Sequence, residues 1–216
     1  MDDFRGDIGD EATDRWPGLP AELLRRNWRN LPPVLRGLGV MLREVEGSDA
    51  AALMALLSRD EIAQVIAPPP ESAVDLQTRI DAARVERLEG RGICFSVVPE
   101  RRAESVGLFR VRELERGFGS AEWEFVLSPE QWGSGLFFTA APAVVDFAFD
   151  VLGVHRLEAR AALHNGRGNG ALRKIGAAQE GVLRRSLQQE HGWADQALWT
   201  LIADDWRKRM GRRGVH

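Results

Sequence analysis

Glu122-Trp-Glu-Phe-Val-Leu127, then Ser128-Pro129, then Gln131-Trp-Gly-Ser-Gly-Leu136 decide how this chain folds. The first run alternates in the manner of a strand, Ser-Pro makes a turn, and the glycine pair opens a long apolar helix. A second strand, His155 to Leu163, ends in Asn165-Gly-Arg-Gly-Asn169 before another short helix, about Arg167 to Ile175. Glycines between a strand and a helix let backbone N–H groups approach an anion, and the helix start favours negative charge. A side chain at Gly133 or Gly135 would obstruct that approach. The pattern points to a pyrophosphate held by the N–H groups of Trp132, Gly133, Ser134, Gly135 and Leu136.

Outward from this segment the plan alternates. Residues 1–18 are acidic and glycine-rich and are expected to be disordered or loosely attached. Residues 20–30 suit a short amphipathic helix stopped by Pro32-Pro33. Val40 to Val45 reads as the first strand, and Ser48 as the N-cap of an Ala- and Leu-rich helix with Asp49 in its first turn. Between Ser72 and Glu89, Val74, Ile80, Ala83 and Leu88 recur at helical spacing. Residues 92–98 form an apolar strand, Ser105 to Leu114 a looser one, and Leu136 to Leu152 a buried helix that Pro142 bends. From Ala178 the chain reads as two strands and a last helix near Asp204. The order fits α/β or α+β.

Composition excludes several classes. The 216 residues carry a net charge of -3, against the strongly basic balance of nucleic-acid-binding domains. No run of about 18 apolar residues exists, so no membrane span is expected. Met1-Asp-Asp-Phe lacks the basic start of a signal peptide. The single cysteine, Cys94, lies in an apolar strand, which suits a reducing cytoplasm and a structural thiol. His155, His164, His191 and His216 show no metal-ligand spacing, and no metal is expected. Of the tryptophans, Trp123, Trp193, Trp199 and Trp206 fall in elements and are read as core or dimer contacts. The basic clusters Arg25-Arg26-Arg29 and Arg207 to Arg213 read as solvated faces, with contact to RNA or a ribosomal partner as the alternative.

From Leu35 to about Trp206 the chain resembles the GCN5-related N-acetyltransferase (GNAT) superfamily, RimJ/RimL-like branch. Leu38 to Val45 with Ser48-Asp49-Ala50 resembles that branch's first strand and helix. Ala121 to Pro129 resembles its fourth strand, Gln131 to Gly135 its pyrophosphate loop, and Leu152 to Ala159 its fifth strand. Leu172-Arg-Lys-Ile-Gly176 with Glu180 to Arg184 is similar to the following helix and strand. The resemblance implies a mixed sheet of about seven strands, splayed between the fourth and fifth and flanked by helices. It divides the chain into an extension (1–34), the acetyltransferase domain (35–210) and a basic tail (211–216).

That resemblance also implies a cofactor and roles. Acetyl-CoA would place its pantetheine arm in the splay like an added strand, against the backbone of Phe125, Val126 and Leu127. An N–H at Val126 or Leu127 would face the thioester oxygen. Asn165, Gly168 and Leu172 would border the arm from the other side, Asn165 also being a natural turn residue beside Gly166. Glu122 and Glu124, two apart on one strand, share a face and are the candidate general bases. Glu122 has a structural alternative as the partner of an arginine such as Arg110. The tyrosine that serves the family as general acid to the departing thiolate is absent, since the chain holds no tyrosine, and the serine some members use is Gly168 here. Glu130 stands where Gln or Arg is common, and Ala177 where phenylalanine is.

The resulting expectation is a cytoplasmic, homodimeric N-acetyltransferase in which a primary amine, of a protein N-terminus or a small molecule, attacks acetyl-CoA directly. The alternatives are a non-catalytic acyl-CoA-binding module and a transferase for another acyl group such as succinyl.

Overall fold

Eight strands form one sheet in this computed structural model, which describes residues 21–66, 68–189 and 192–213. The expectations for residues 1–18, His191 and His216 lie outside those residues. In chain order come α1 (Ala21–Asn27), β1 (Leu35–Gly37), β2 (Val40–Glu44), α2 (Ala50–Leu57), α3 (Asp60–Ala63), α4 (Ala73–Leu88), β3 (Gly92–Pro99), β4 (Gly107–Glu113) and β5 (Ser120–Leu127). Then follow α5 (Leu136–Asp146), β6 (Arg156–Ala162), α6 (Gly166–Ile175), β7 (Ala178–Gln189), β8 (Gly192–Ile202) and α7 (Ala203–Arg213). The spatial order is β1-β2-β3-β4-β5-β6-β8-β7, and β5 with β6 is the parallel pair among antiparallel ones.

Both faces are covered. On one, Trp123, Phe109 and Phe125 pack with Phe137 of α5, and the core continues through α1, α6 and α7. Trp123 and Phe109 lie stacked with centroids 6.0 Å apart. The other face carries a smaller core of Leu53, Ile62, Leu76, Ile80 and Cys94 under α2, α3 and α4. This double cover explains why β3 is buried along nearly its whole length.

Several elements differ from the sequence reading. The sheet gains β1, which at three residues is too short to show a pattern. A 3₁₀ turn, Gly47–Asp49, precedes α2, with Glu46 rather than Ser48 as its cap. Asp49 does not merely complement a helix dipole: it is buried and paired with Arg43 at 2.7 Å. In α4, capped by Ser72 on the Asp75 N–H, the buried face is Leu76, Ile80, Ala83 and Arg87, whereas Val74 and Leu88 are exposed. Arg87 can lie inward because Glu44 accepts from its Nε at 2.5 Å. Past Pro142, the helix widens into a π turn over Phe147–Val151. Trp123, Trp199 and Trp206 are core residues, but Trp193 is 60% exposed.

The feature that matters for function is where β5 and β6 part. They are in register only over Ser120–Glu122 with Arg156–Glu158. Beyond that point β5 stays with β4 as far as Leu127, while β6 stays with β8 as far as Ala162. A wedge opens between them in the middle of the sheet.

Candidate active site

Backbone alternation decides what β5 offers to the wedge. Ser128 N–H donates to Val106 O and Leu114 N–H to Ser120 O. The even-numbered residues of β5 therefore point their backbone groups at β4, and the odd-numbered ones at the opposite edge. Past Ala121 that edge is open, so Trp123, Phe125 and Leu127 present backbone groups to the wedge. Of the two expected oxyanion donors, Leu127 N–H faces the gap and Val126 N–H is turned to β4. The Leu127 carbonyl accepts from the Trp132 indole at 3.0 Å.

At the mouth of the wedge lies the glycine loop. Gly133 and Gly135 have φ of 77° and 88°, which favours glycine, and no protein atom lies within 4 Å of a Cβ built at either position. The loop spends some of its donors internally: Trp132 N–H on Pro129 O, Ser134 N–H on Gln131 O, and Leu136 N–H on Ser134 Oγ. The N–H groups of Gly133 and Gly135 have no acceptor among the described residues. With Phe137 N–H in the first turn of α5, they form the available cradle for an anion. Phe137 was not among the donors expected from the sequence. Its signal would have been the rule that the first N–H groups of any helix lack partners.

Across the wedge, Asn165 caps α6, its Oδ1 accepting from Gly168 N–H at 2.8 Å. Gly168 has a steric reason to be glycine, because a Cβ there would lie 2.6 Å from Asn165 Nδ2. Asn169, which the sequence reading passed over, fastens this junction. It donates to the carbonyls of Ala162 and Asn165, and its Oδ1 accepts from Trp199 Nε1. Leu172 is 1% exposed and belongs to the main core.

Glu122 and Glu124 do share a face, the one opposite Trp123 and Phe125, but their surroundings differ. Glu122 is 3% exposed and pairs with Arg112 on β4 and, at 3.3 Å, with Arg160 on β6. Arg110, the partner considered from sequence, pairs instead with Glu86 of α4 at 2.7 Å. Its Nε is buried and unbonded among the described residues. Glu124 is exposed to solvent on that same face. Surrounding protein and then the Glu122 charge push its carboxyl above the usual carboxylate range, against the pull of Arg110 and Arg112. One carboxylate is thus locked in ion pairs and the other is open and made more basic. Cys94 lies on the same face, but burial pushes its thiol up to about 12, so it stays protonated at neutral pH.

The α2–α4 connection crosses the wedge on this face. Arg59 pairs with Glu130, just ahead of the glycine loop, at 2.5 Å. At the other lip the Gln64 carbonyl accepts from Gln189 Nε2 at 2.6 Å and lies 3.2 Å from His164 Nε2. Ile62 and Ile66 belong to the same apolar cluster as Val126 and Trp132. Among the described residues no helix is long and apolar enough to cross a membrane, and no His/Cys/Asp/Glu group could hold a metal ion.

Comparison with known proteins agrees with this geometry. The Acetyltransferase (GNAT) domain matches residues 40–178. The chain is 27% identical over 171 residues to the uncharacterized N-acetyltransferase YoaA of Bacillus subtilis, covering 79% of this chain and 97% of that one. It is 24% identical over 131 residues to the ribosomal protein uS5 alanine N-acetyltransferase of Escherichia coli, covering 60% and 68%. Its fold matches Mycobacterium smegmatis RimJ, solved in complex with CoA-disulfide, with a TM-score of 0.66 at 22% identity over 80% and 87% of the two chains. A split sheet with a glycine cradle at its mouth, matched by that domain over most of the chain, makes this protein a member of the GNAT acetyltransferase family, in its RimJ/RimL-like branch: an N-acetyltransferase that uses an acyl-CoA and acts on an amine.

Proposed function

We propose that the donor is acetyl-CoA and that the amine attacks it directly, with both substrates bound, using Glu124 as general base. The observation that carries this reading is the unequal pair of carboxylates beside the open edge of β5. The arm of acetyl-CoA extends along Phe125 and Leu127 as a strand would, with its diphosphate on the cradle at Gly133, Gly135 and Phe137. Asn165 and Gly168 border the arm on the α6 side. Leu127 N–H donates to the thioester oxygen as negative charge develops there.

An ammonium has no lone pair to give, so its proton must leave first or as the bond forms. Glu124 takes that proton directly or through a water. The amine nitrogen then bonds to the acetyl carbon, and the C–S bond breaks with its electron pair on sulfur while the nitrogen sheds its second proton to water to become the amide. The thiolate is a tolerable leaving group, its conjugate acid having a pKa of about 8.5, and it takes a proton from water. No tyrosine is needed for that step.

The acceptor we favour is a protein N-terminal α-amine, on the similarity to the uS5 alanine acetyltransferase. The expected form is a cytoplasmic homodimer without a metal, and sedimentation of the purified protein tests the dimer. The reading as a whole is tested by CoA-thiol release from acetyl-CoA across N-terminal peptides and alkylamines. Acceptor-dependent release supports it. Tight acetyl-CoA binding with no release from any amine would count against catalysis, and no binding would remove the cofactor assignment.

A further inference from the structure

The cradle has a charge problem. A diphosphate brings two negative charges, yet the residue leading into the loop is Glu130, and Arg59 is engaged by it at 2.5 Å. That pair is close to neutral as a unit, so the near lip supplies N–H dipoles but no spare cation. Across the wedge, Arg167 makes no hydrogen bond or ion pair with any described residue. Its guanidinium carbon lies 4.4 Å from the centroid of the Trp132 ring. That ring is fixed in turn, since Trp132 directly precedes Gly133 and its Nε1 is bonded to Leu127 O.

Stacking of this kind occupies the face of a guanidinium and leaves its in-plane N–H edges free, the geometry that grips a phosphate with two parallel bonds. A second observation points the same way. Arg167 sits in the first turn of α6, where the helix dipole disfavours a cation. Its neighbours Gly166 and Gly168 offer no counter-charge. A cation held against the dipole, on a prepared platform beside unpaired N–H groups, is in place for an anion that is absent from the protein itself.

We propose that Arg167 binds the diphosphate of the acyl-CoA from the α6 side, so that the group is held by both lips of the wedge. This rests on the acyl-CoA reading above and adds a residue to it. Trp132 acts as the platform that orients the guanidinium.

The test compares wild type, Arg167→Gln and Arg167→Lys with three donors: acetyl-CoA, 3′-dephospho-acetyl-CoA and S-acetylpantetheine. Arg167→Gln is expected to weaken the first two equally, about 10- to 100-fold in KM or Kd, as for a lost charge-assisted pair. Arg167→Lys should recover part of that loss, since it restores the charge but not the fork. S-acetylpantetheine, which lacks the diphosphate, should bind wild type and both variants alike. An unchanged affinity of Arg167→Gln for acetyl-CoA would overturn the proposal. So would an effect that disappears with the 3′-dephospho donor, which would move the contact to the 3′-phosphate. An equal effect on S-acetylpantetheine would reduce Arg167 to a structural tie. If wild type bound none of the three donors, the cofactor reading itself would fail, a result distinct from the others.

Discussion

Glu124→Gln keeps the size of the side chain and removes its ability to take a proton. No neighbour can replace it, because the Glu122 carboxylate is held by Arg112 and Arg160. The variant must rely on acceptor molecules that are already neutral, and that fraction bounds the loss. An α-amine with a pKa of about 8 is roughly one-tenth neutral at pH 7, so turnover should fall about tenfold. An alkylamine with a pKa of about 10.4 is neutral in fewer than about one molecule in a thousand, which allows a fall of roughly a thousandfold. Both lie within or just below the usual range for a general base, about 100- to 10,000-fold. The assay is release of CoA thiol at saturating acetyl-CoA, from about pH 6 to 10, with one peptide and one alkylamine acceptor. The deficit should shrink as pH approaches the acceptor's own pKa. The reasoning is refuted if the deficit is the same at every pH, or if Glu122→Gln produces an equal loss with the same profile.

The same environment predicts a stability effect. The Glu124 carboxyl, though exposed at its tip, is raised in the folded protein by the protein packed around it and by the Glu122 charge, so folding is favoured while it is protonated and loses that contribution as pH rises through its folded value. Thermal denaturation should therefore show Glu124→Gln more stable than wild type at neutral pH, the difference vanishing below about pH 4, the ordinary carboxylate value. Glu122→Gln leaves two guanidinium groups without their shared partner, but these are 42% and 39% exposed and can turn to water. A loss of about 1–2 kcal/mol, or roughly 2–8 °C in Tm, is expected. The acid limb of its rate profile should move to lower pH, since the charge that raises Glu124 is gone. Gly168→Ser forces Asn165 off its cap, because the new Cβ would meet Nδ2 at 2.6 Å. A cap is worth about 1 kcal/mol, so Tm should drop by a few degrees, with a higher KM for acetyl-CoA. An unchanged Tm would mean that Asn165 yields without cost.

Glycines, strand alternation and an apolar helix made β5, the loop and α5 readable, because each signal is local. The wedge became legible only through resemblance, since it depends on which partners two strands keep. Short-range pattern failed where charge was buried. The inward row of α4 contains Arg87, whose pairing with Glu44 lies 43 positions away in sequence, so the apolar residues Val74 and Leu88 suggested a different face. Glu122 could be placed beside Glu124 by counting along a strand. That its partners are Arg112 and Arg160 depended on strand register, and so did the finding that the two carboxylates have unlike surroundings. Asn169, by contrast, was within reach. It stands one helical turn after Asn165, the usual spacing for a second polar contact at a helix start.

The segment carrying Arg59 and Gln64 has a consequence for traffic into the cleft. A strip of chain moored on both banks cannot swing like a flap while both moorings hold. One must slip before anything bulky passes beneath. The Arg59–Glu130 mooring is an exposed ion pair, worth at most about 1 kcal/mol and weakened further by dissolved salt. The opposite mooring gathers Gln189 and His164 on a single carbonyl. The strip should therefore release on the glycine-loop side and pivot about Gln64, admitting the acceptor from that bank. Ionic strength then becomes a control on how fast the acceptor arrives, separate from how fast it reacts.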